Sequence, residues 1–460
     1  MENVKDLRAQ VSVCLKNKNM EQLKQLISTA QDIELLHLYM DLTPNEQVLV
    51  FRLLKKEAAL NIFEQLSTEL QKQLLESFTD EQATQLVNEM TPDDRVALLE
   101  ELPATIARKL LASLTPEERE VTNILMGYKE QTAGRIMTTE YISLRRNLTA
   151  EEAIAKVRTQ AADKETVYIL YVTDNAKKLE GVISLKDLII AEPTARIEDI
   201  MFRAVISVST NTDQEAVANT LKELDLLAIP VVDTEGRIVG IVTIDDAMDI
   251  LEKEATEDIL NQAGLVGSTS GGEENRSEQL VHGSLWAIWR VRLPFLIFTI
   301  IAGFAAGGVV DGFEEILEEV VAVAIFIPLI MDMGGNIGTQ SSTVFARGVV
   351  LGHIRMDKFK KQLLKETGVG FSLGAVTGAV SGVIATLWQG EPMLGVAVGL
   401  SLTVVSTLAA FLGFVVPYFL MKLGLDQAAG SAPLITSVKD VVGLLVYFVL
   451  VSQLLAHLIY

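Results

Sequence analysis

Asp440 is a lone carboxylate at the head of an uncharged run: residues 441–460 (VVGLLVYFVLVSQLLAHLIY) carry no charge, and Lys439 stands immediately before it. A carboxylate in an apolar setting is costly unless it meets water, a cation or a neighbouring charge. Asp440 is therefore a functional candidate, with water, a cation and Lys439 as its possible partners. A second apolar stretch, Val320 to Ala346, is interrupted only by Asp332, which is followed by MGGNIGTQSS at 333–342. Gly334, Gly335 and Asn336 in its middle predict a loosened helix walling a pore or binding site, or else close packing through small residues. The third concentration of chemistry is DDAMDILEKEATEDILNQAG at 245–264, with Asp245, Asp246, Asp249, Glu252, Glu254, Glu257 and Asp258 on one predicted helix. Like charges so placed destabilise a helix without counter-ions; a solvated face is the ordinary alternative.

These residues need elements to hold them. Uncharged runs at 293–310, 367–390, 392–421 and 441–460, with Val320–Ala346, predict five membrane-spanning helices, since about 20 apolar residues cross the hydrocarbon core. The last begins near Pro433. Basic loops alternate with loops lacking Lys and Arg: Arg290 and Arg292 precede the first span, DGFEEILEE follows it, RGVVLGHIRMDKFKKQLLKE lies before the third, WQGEPM before the fourth and MKLGLDQ before the fifth. The positive-inside rule then predicts a cytoplasmic N-terminus and an extracellular C-terminus.

The 460 residues carry a net charge of −21, and nearly all of it lies in residues 1–283, with 29 Lys+Arg against 49 Asp+Glu. Such acidity repels phosphates and excludes a nucleic-acid partner; it favours cations. One cysteine, Cys14, and four scattered histidines (His37, His282, His353, His457) exclude an intrachain disulfide and Cys-rich zinc sites, and offer no His cluster. No nucleophile–base arrangement suggests an enzyme, and MENVKDLRAQVSV is not a signal peptide.

Two repeats organise the acidic part. Thr43, Ser67, Thr79, Thr91 and Thr115 are separated by multiples of 12 residues, and each opens a block with an acid within three positions. Hydroxyl N-caps, with proline at the first helical position in several blocks, predict short amphipathic helices in series that bury one face by stacking. Residues 136–197 and 201–258 then repeat a strand, a helix, two strands about a turn and a closing helix. These copies resemble a pair of cystathionine-β-synthase (CBS) regulatory modules. GVISLKD and GIVTIDD supply the family's hydroxyl-x-x-Asp pattern as Ser184/Asp187 and Thr243/Asp246. The resemblance implies that ATP or another adenine nucleotide binds there through the Asp; helix N-capping by Ser184 and Thr243 is the plainer role.

An acidic helical domain, a CBS pair, an acidic connecting helix and five spans in this order resemble the MgtE family of magnesium channels. PDDRVALLEELP (92–103), EATEDI (254–259), MGGNIGTQSS (333–342) and the SVKDVVGLLVYF segment carry the likeness. The implied fold is multidomain: an all-α superhelical N-domain (1–132), α/β CBS modules (133–199 and 200–245), a connecting helix (246–264), a flexible linker (265–283) and an all-α membrane domain (284–460). The resemblance makes Asp440 the pore aspartate for hydrated Mg²⁺, paired across a homodimer, with the Thr436 carbonyl and Asn336 nearby. It makes Asp246, Asp249, Glu254, Glu257 and Asp258, with Asp213, Glu215, Asp225 and Asp426, Mg²⁺-sensing acids that close the pore when cytosolic Mg²⁺ is ample. The chain departs from the family at Asp426-Gln427-Ala428, where Asp-Pro-Ala is usual, and in the extra charges Asp332 and Lys439, which are expected to pair within a protomer or across the dimer. Transport of another divalent cation such as Co²⁺, Mn²⁺ or Ni²⁺, or a non-transporting membrane-tethered nucleotide or Mg²⁺ sensor, are the alternatives.

Overall fold

The structure, a computed structural model, describes residues 2–17, 19–66, 68–265, 276–277, 279–281, 283–423 and 431–455. It forms two compact units, one comprising Met1–Glu254 and the other including Ala255 onward and Arg276–Tyr460. Asp426 and the Gln427-Ala428 departure lie outside the described residues.

The N-terminal part of the first unit is a series of short helices, and the 12-residue period runs further than the hydroxyl signal. N-caps fall at Asn19, Gln31, Thr43, Lys55, Thr79, Thr91, Pro103 and Thr115, all separated by multiples of 12. Thr79 accepts from the Gln82 N–H and Thr115 from the Glu118 N–H, satisfying orphan donors of the first turn. A second device repeats every 24 residues. The side chains of Gln47, Gln71, Arg95 and Arg119 each donate to the carbonyl eight residues upstream, of Tyr39, Phe63, Val87 and Leu111, at 2.8–3.1 Å. Arg95, 1% exposed, also bonds the Asn88 and Met90 carbonyls and pairs with Glu118. Each such bond ties one helix to the end of its predecessor and removes a buried unsatisfied carbonyl.

The next part holds two three-stranded sheets of the same order. Strand β1 (Ser143–Arg145) runs parallel to β2 (Ile169–Thr173), which pairs antiparallel with β3 (Leu179–Ser184); β4 (Val208–Ser209), β5 (Ala228–Val232) and β6 (Ile238–Thr243) repeat the pattern. Their hairpins interlock, Leu179 N–H donating to Gly236 O and Ile238 N–H to Lys177 O, both at 3.1 Å. Val96 and Leu125, from helices Pro92–Glu101 and Pro116–Met126, share one buried cluster with Ala133, Val217, Leu221, Ile229, Val242 and Ala247. An ion pair between Arg135 and Glu100 reinforces this junction. The helical part is thereby held against the second sheet and the first turns, Ile244 to Leu251, of its closing helix, Ile244–Gln262.

The second unit has five helices long and apolar enough to cross a membrane among its described residues: Leu285–Asp311, Ala322–Val350, Met356–Gln389, Pro392–Lys422 and Pro433–Leu454. The fourth packs against the second, third and fifth, and small residues permit the approach. A Cβ on Gly374 would lie 2.8 Å from Ser406 Cβ, and one on Gly413 would lie 2.7 Å from Gly338 O. Ala322–Val350 is one uninterrupted helix with Pro328 inside it. The predicted loosening at Gly334-Gly335-Asn336 does not occur: Gly334 and Gly338 are buried against Lys439, Val405, Ile435 and Ala409, so their lack of a side chain serves packing.

Candidate functional site

In the first unit the packing of Val96 brings carboxylates from three stretches of chain together. Glu64, Asp93 and Asp94 come from the helical part, Glu140 and Glu165 from the first CBS copy, and Asp245, Asp246 and Asp249 from the start of the closing helix. The Glu64 carboxyl is pushed up to about 8, by burial first and then by Asp94 and Glu165; a Thr91 backbone N–H opposes the rise. Burial, then Asp246 and Asp245, lift Glu165 to about 7. Asp93 is raised by burial, Asp94 and Glu165; Asp246 is raised by burial and then by Asp93. Glu64 Oε1 and Asp93 Oδ1 are buried without a hydrogen-bond partner.

Burial and like charge act together here, and both are relieved by a cation. Among the described residues no group of three or more His, Cys, Asp or Glu side chains is arranged to hold a metal ion directly. A diffuse cluster suits an ion that keeps most of its waters, as Mg²⁺ does. Only Asp246 and Asp249 of this cluster are among the residues that the sequence singles out as sensors. Glu64, Asp93, Asp94, Glu140, Glu165 and Asp245 are additions. Asp93 and Asp94 lie inside PDDRVALLEELP; Glu64, Glu140 and Glu165 carry no local signal.

The other expected sensor acids have separate surroundings. Asp213 caps Gln214–Glu223, accepting from Glu215 and Ala216 N–H at 3.0 and 3.4 Å. Glu215 follows in that helix's first turn. Asp225 is exposed, with φ at +51°, a conformation Asp tolerates better than most residues. Glu254 accepts from Gln214 Nε2 at 2.7 Å. In the second unit Glu257 accepts from Asn261 at 3.2 Å and faces the buried Arg276 at 4.0 Å; Asp258 is half-buried beside it.

Both hydroxyl-x-x-Asp motifs form helix starts. Ser184 accepts from the Asp187 N–H at 3.0 Å and donates to its carboxylate at 2.7 Å; Thr243 donates to Asp246 in the same way. The two aspartates then differ. Asp187 is exposed, near exposed Tyr168, whose carbonyl accepts from Leu185 at 2.9 Å. Asp246 belongs to the acid cluster.

In the membrane unit Asp440 lies within Ser431–Leu454, its side chain 21% exposed, with Thr436 one turn earlier on the same helix. Lys439, 1% exposed, pairs with Asp440 and donates to the Met331 carbonyl. Asp332 instead accepts from Asn336 Nδ2, one turn on, at 3.2 Å, and both are exposed on the single chain. Within one chain the expected Asp332–Lys439 pair does not form: Asp332 accepts from Asn336, and Lys439 pairs with Asp440 and donates to the Met331 carbonyl.

Residues 30–131 match the MgtE intracellular N domain, 133–193 and 197–253 the CBS domain, and 327–450 the divalent cation transporter family MgtE. The chain is 38% identical over 442 residues to the magnesium transporter MgtE of Thermus thermophilus, covering 94% of this chain and 95% of that protein. It is 35% identical over 338 residues to that of Bacillus subtilis, covering 74% and 73%. The crystal structure of the cytosolic domain of the Mg²⁺ channel MgtE in complex with ATP aligns at a TM-score of 0.51 and 34% identity, over 53% of this chain and 99% of that one. With five apolar helices and identity at this level over nearly its whole length, the chain belongs to the MgtE family and is a multi-pass membrane protein.

Proposed function

We infer that the chain carries Mg²⁺ passively across the plasma membrane as a homodimer, Asp440 holding the hydrated ion, with the cytoplasmic acids closing the pathway when cytosolic Mg²⁺ is high. The observation that carries this reading is the 38% identity, over 94% of the chain, to a magnesium transporter. A carboxylate in a helix that is otherwise apolar after it suits an ion that resists dehydration, because it can act through retained waters. An inward potential of 100 mV draws a divalent cation by roughly 4–5 kcal/mol, twice the single-charge value. No GxxxxGK[ST] motif for coupling to a nucleotide is present in the sequence. Basic loops flanking the first, third and fifth spans support a cytoplasmic N-terminus and an extracellular C-terminus.

Gating follows from charge. Bound Mg²⁺ neutralises Glu64, Asp93, Asp94, Glu165 and Asp246 and holds the helical part against the CBS pair. Its loss leaves buried acids repelling one another, and the arrangement opens. Several ions binding the closed arrangement make the response steep. An adenine nucleotide fits the exposed Asp187 and Tyr168, which offer a ribose acceptor and an aromatic face; Asp246 is committed to the acid cluster. Proteoliposome uptake with a Mg²⁺-sensitive dye tests the transport reading. Wild type should take up Mg²⁺ and Asp440→Ala should not, while remaining folded. Equal uptake by the two would remove Asp440 from the pathway, and no uptake by wild type would leave a tethered sensor.

A further inference from the structure

Lys439 is an unusual solution for a membrane helix. Its ammonium is buried beside Asp440, and its stem crosses to the second span along a path open only because that span carries glycine there. A Cβ on Gly334 would lie 2.6 Å from Lys439 Cδ, and one on Gly335 would lie 3.4 Å from Nζ. Asp440 Oδ1 is buried and makes no hydrogen bond, so the ammonium beside it is a partner by charge. Asp332, the other acid of the second span, is occupied with Asn336. Lys439 is thus not the partner of a second structural acid: it lies against the one carboxylate that the fifth span offers to an ion.

We propose that Lys439 is a tethered cation that shares Asp440 with the permeating divalent ion and so sets the affinity of the membrane site. This rests on the reading that Asp440 holds the transported ion. An arriving ion meets a neutral pair in place of a bare anion, and it binds by drawing Asp440 away from the ammonium. The Met331 carbonyl keeps the ammonium partnered while the carboxylate is lent to the ion. The consequence is weaker binding and faster release, the balance that conduction requires. A purely structural lysine, fastening the second span to the fifth, would affect stability and leave ion affinity alone.

Lys439→Gln separates the two roles, because a glutamine amide can still donate to the Met331 carbonyl but carries no charge. In proteoliposomes containing the full chain, the Mg²⁺ concentration giving half-maximal flux should fall about tenfold or more, since removing a unit charge a few ångströms from the ion strengthens its attraction to the carboxylate. Maximal flux should fall as release slows. Lys439→Arg, which keeps the charge, should bring the half-saturating concentration back toward the wild-type value. Wild-type flux with an unchanged half-saturation in Lys439→Gln would overturn this inference alone. Absence of Mg²⁺ flux in wild type would overturn the transport reading and this inference with it. Where Lys439→Gln does not fold, thermal unfolding of Asp440→Asn and of the double variant decides. The double variant should be the more stable of the two, because Asp440→Asn alone leaves the buried ammonium on the Met331 carbonyl without a counter-charge, a cost short of unfolding; a less stable double variant would overturn the pairing.

Discussion

Replacing Glu64 by glutamine should stabilise the cation-free first unit and remove a share of its response to Mg²⁺. The Glu64 carboxyl is raised from 4.5 to about 8 by burial, Asp94 and Glu165, and one of its oxygens has no hydrogen-bond partner. Because the folded value lies above the unfolded one, the folded state binds the proton more tightly. Its contribution is whole below about pH 4.5 and is lost as pH rises through about 8. Neutral pH lies about 2.5 pH units above the unfolded value and below the folded one, so at about 1.4 kcal/mol per pH unit, discounted slightly for the partial exposure of the group, the penalty is about 3 kcal/mol. Glutamine keeps an acceptor for the Thr91 N–H and carries no charge. For a unit of this size about 2–4 °C accompanies each kcal/mol, so in EDTA at pH 7 the melting midpoint of the first unit should rise by roughly 6–12 °C, and by well under half of that at pH 5. The assay is thermal unfolding of the full chain in detergent from pH 5 to 8, with EDTA or with saturating Mg²⁺. Mg²⁺ supplies the counter-charge that the wild type lacks, so it should raise the wild-type midpoint more than that of Glu64→Gln. A lowered midpoint in EDTA, an unchanged slope against pH, or equal Mg²⁺ shifts in the two proteins would refute the reasoning.

Neutralising Asp246, Asp249, Glu254, Glu257 and Asp258 to their amides should weaken inhibition of flux by cytosolic Mg²⁺ without removing conduction; patch recordings at stepped cytosolic Mg²⁺ check this, and closure at the wild-type level would count against a sensor. Arg95→Met should destabilise the helical part by about 3–5 kcal/mol, because it strands the Val87, Asn88 and Met90 carbonyls and Glu118; chemical denaturation followed by circular dichroism reads the loss. Gly413→Ala should cost about 1–3 kcal/mol in the membrane unit, since its Cβ would meet Gly338 O and Ser341 Cβ at 2.7 Å; thermal unfolding in detergent is the measurement.

The helical part was legible where a cap is a hydroxyl and illegible where it is not. Thr43, Thr79, Thr91 and Thr115 announce helix starts by chemistry, whereas Lys55 and Pro103 occupy the same phase without any capping side chain, and Asn19 and Gln31 extend it upstream. The 24-residue recurrence of Gln47, Gln71, Arg95 and Arg119 was present in the sequence all along. It carries no signal by itself, because a glutamine or arginine in a charged helix looks solvated until its partner carbonyl is known. Glycine in the second span pointed to a broken helix or to packing, and packing prevails because Lys439, Ile435 and Val405 occupy the space those glycines vacate. Within one chain, side-chain direction keeps Asp332 and Lys439 apart. Opposite charges on two spans suggest a bridge, but Asn336 one turn from Asp332 and the reach of a long lysine stem to Asp440 settle each charge more locally.

The acid cluster was the least legible feature, because its members come from three stretches of chain that only the tertiary packing brings together. Its physics also differs from that of the membrane carboxylate. Asp440 carries a cation in its own side-chain neighbour, so its charge is balanced when no ion is present. The acids of the first unit have less help. The Arg95 guanidinium beside them in sequence is spent on carbonyls and Glu118, and Arg135 is turned to Glu100. Lys253 lowers Asp94 but does not offset its burial. A carboxylate with a resident counter-ion tolerates an empty site, which suits a place that ions must leave as readily as they enter. Carboxylates left short of one are stable together only when protons or metal ions are supplied from outside, which suits a place whose structure is to report the ion's concentration.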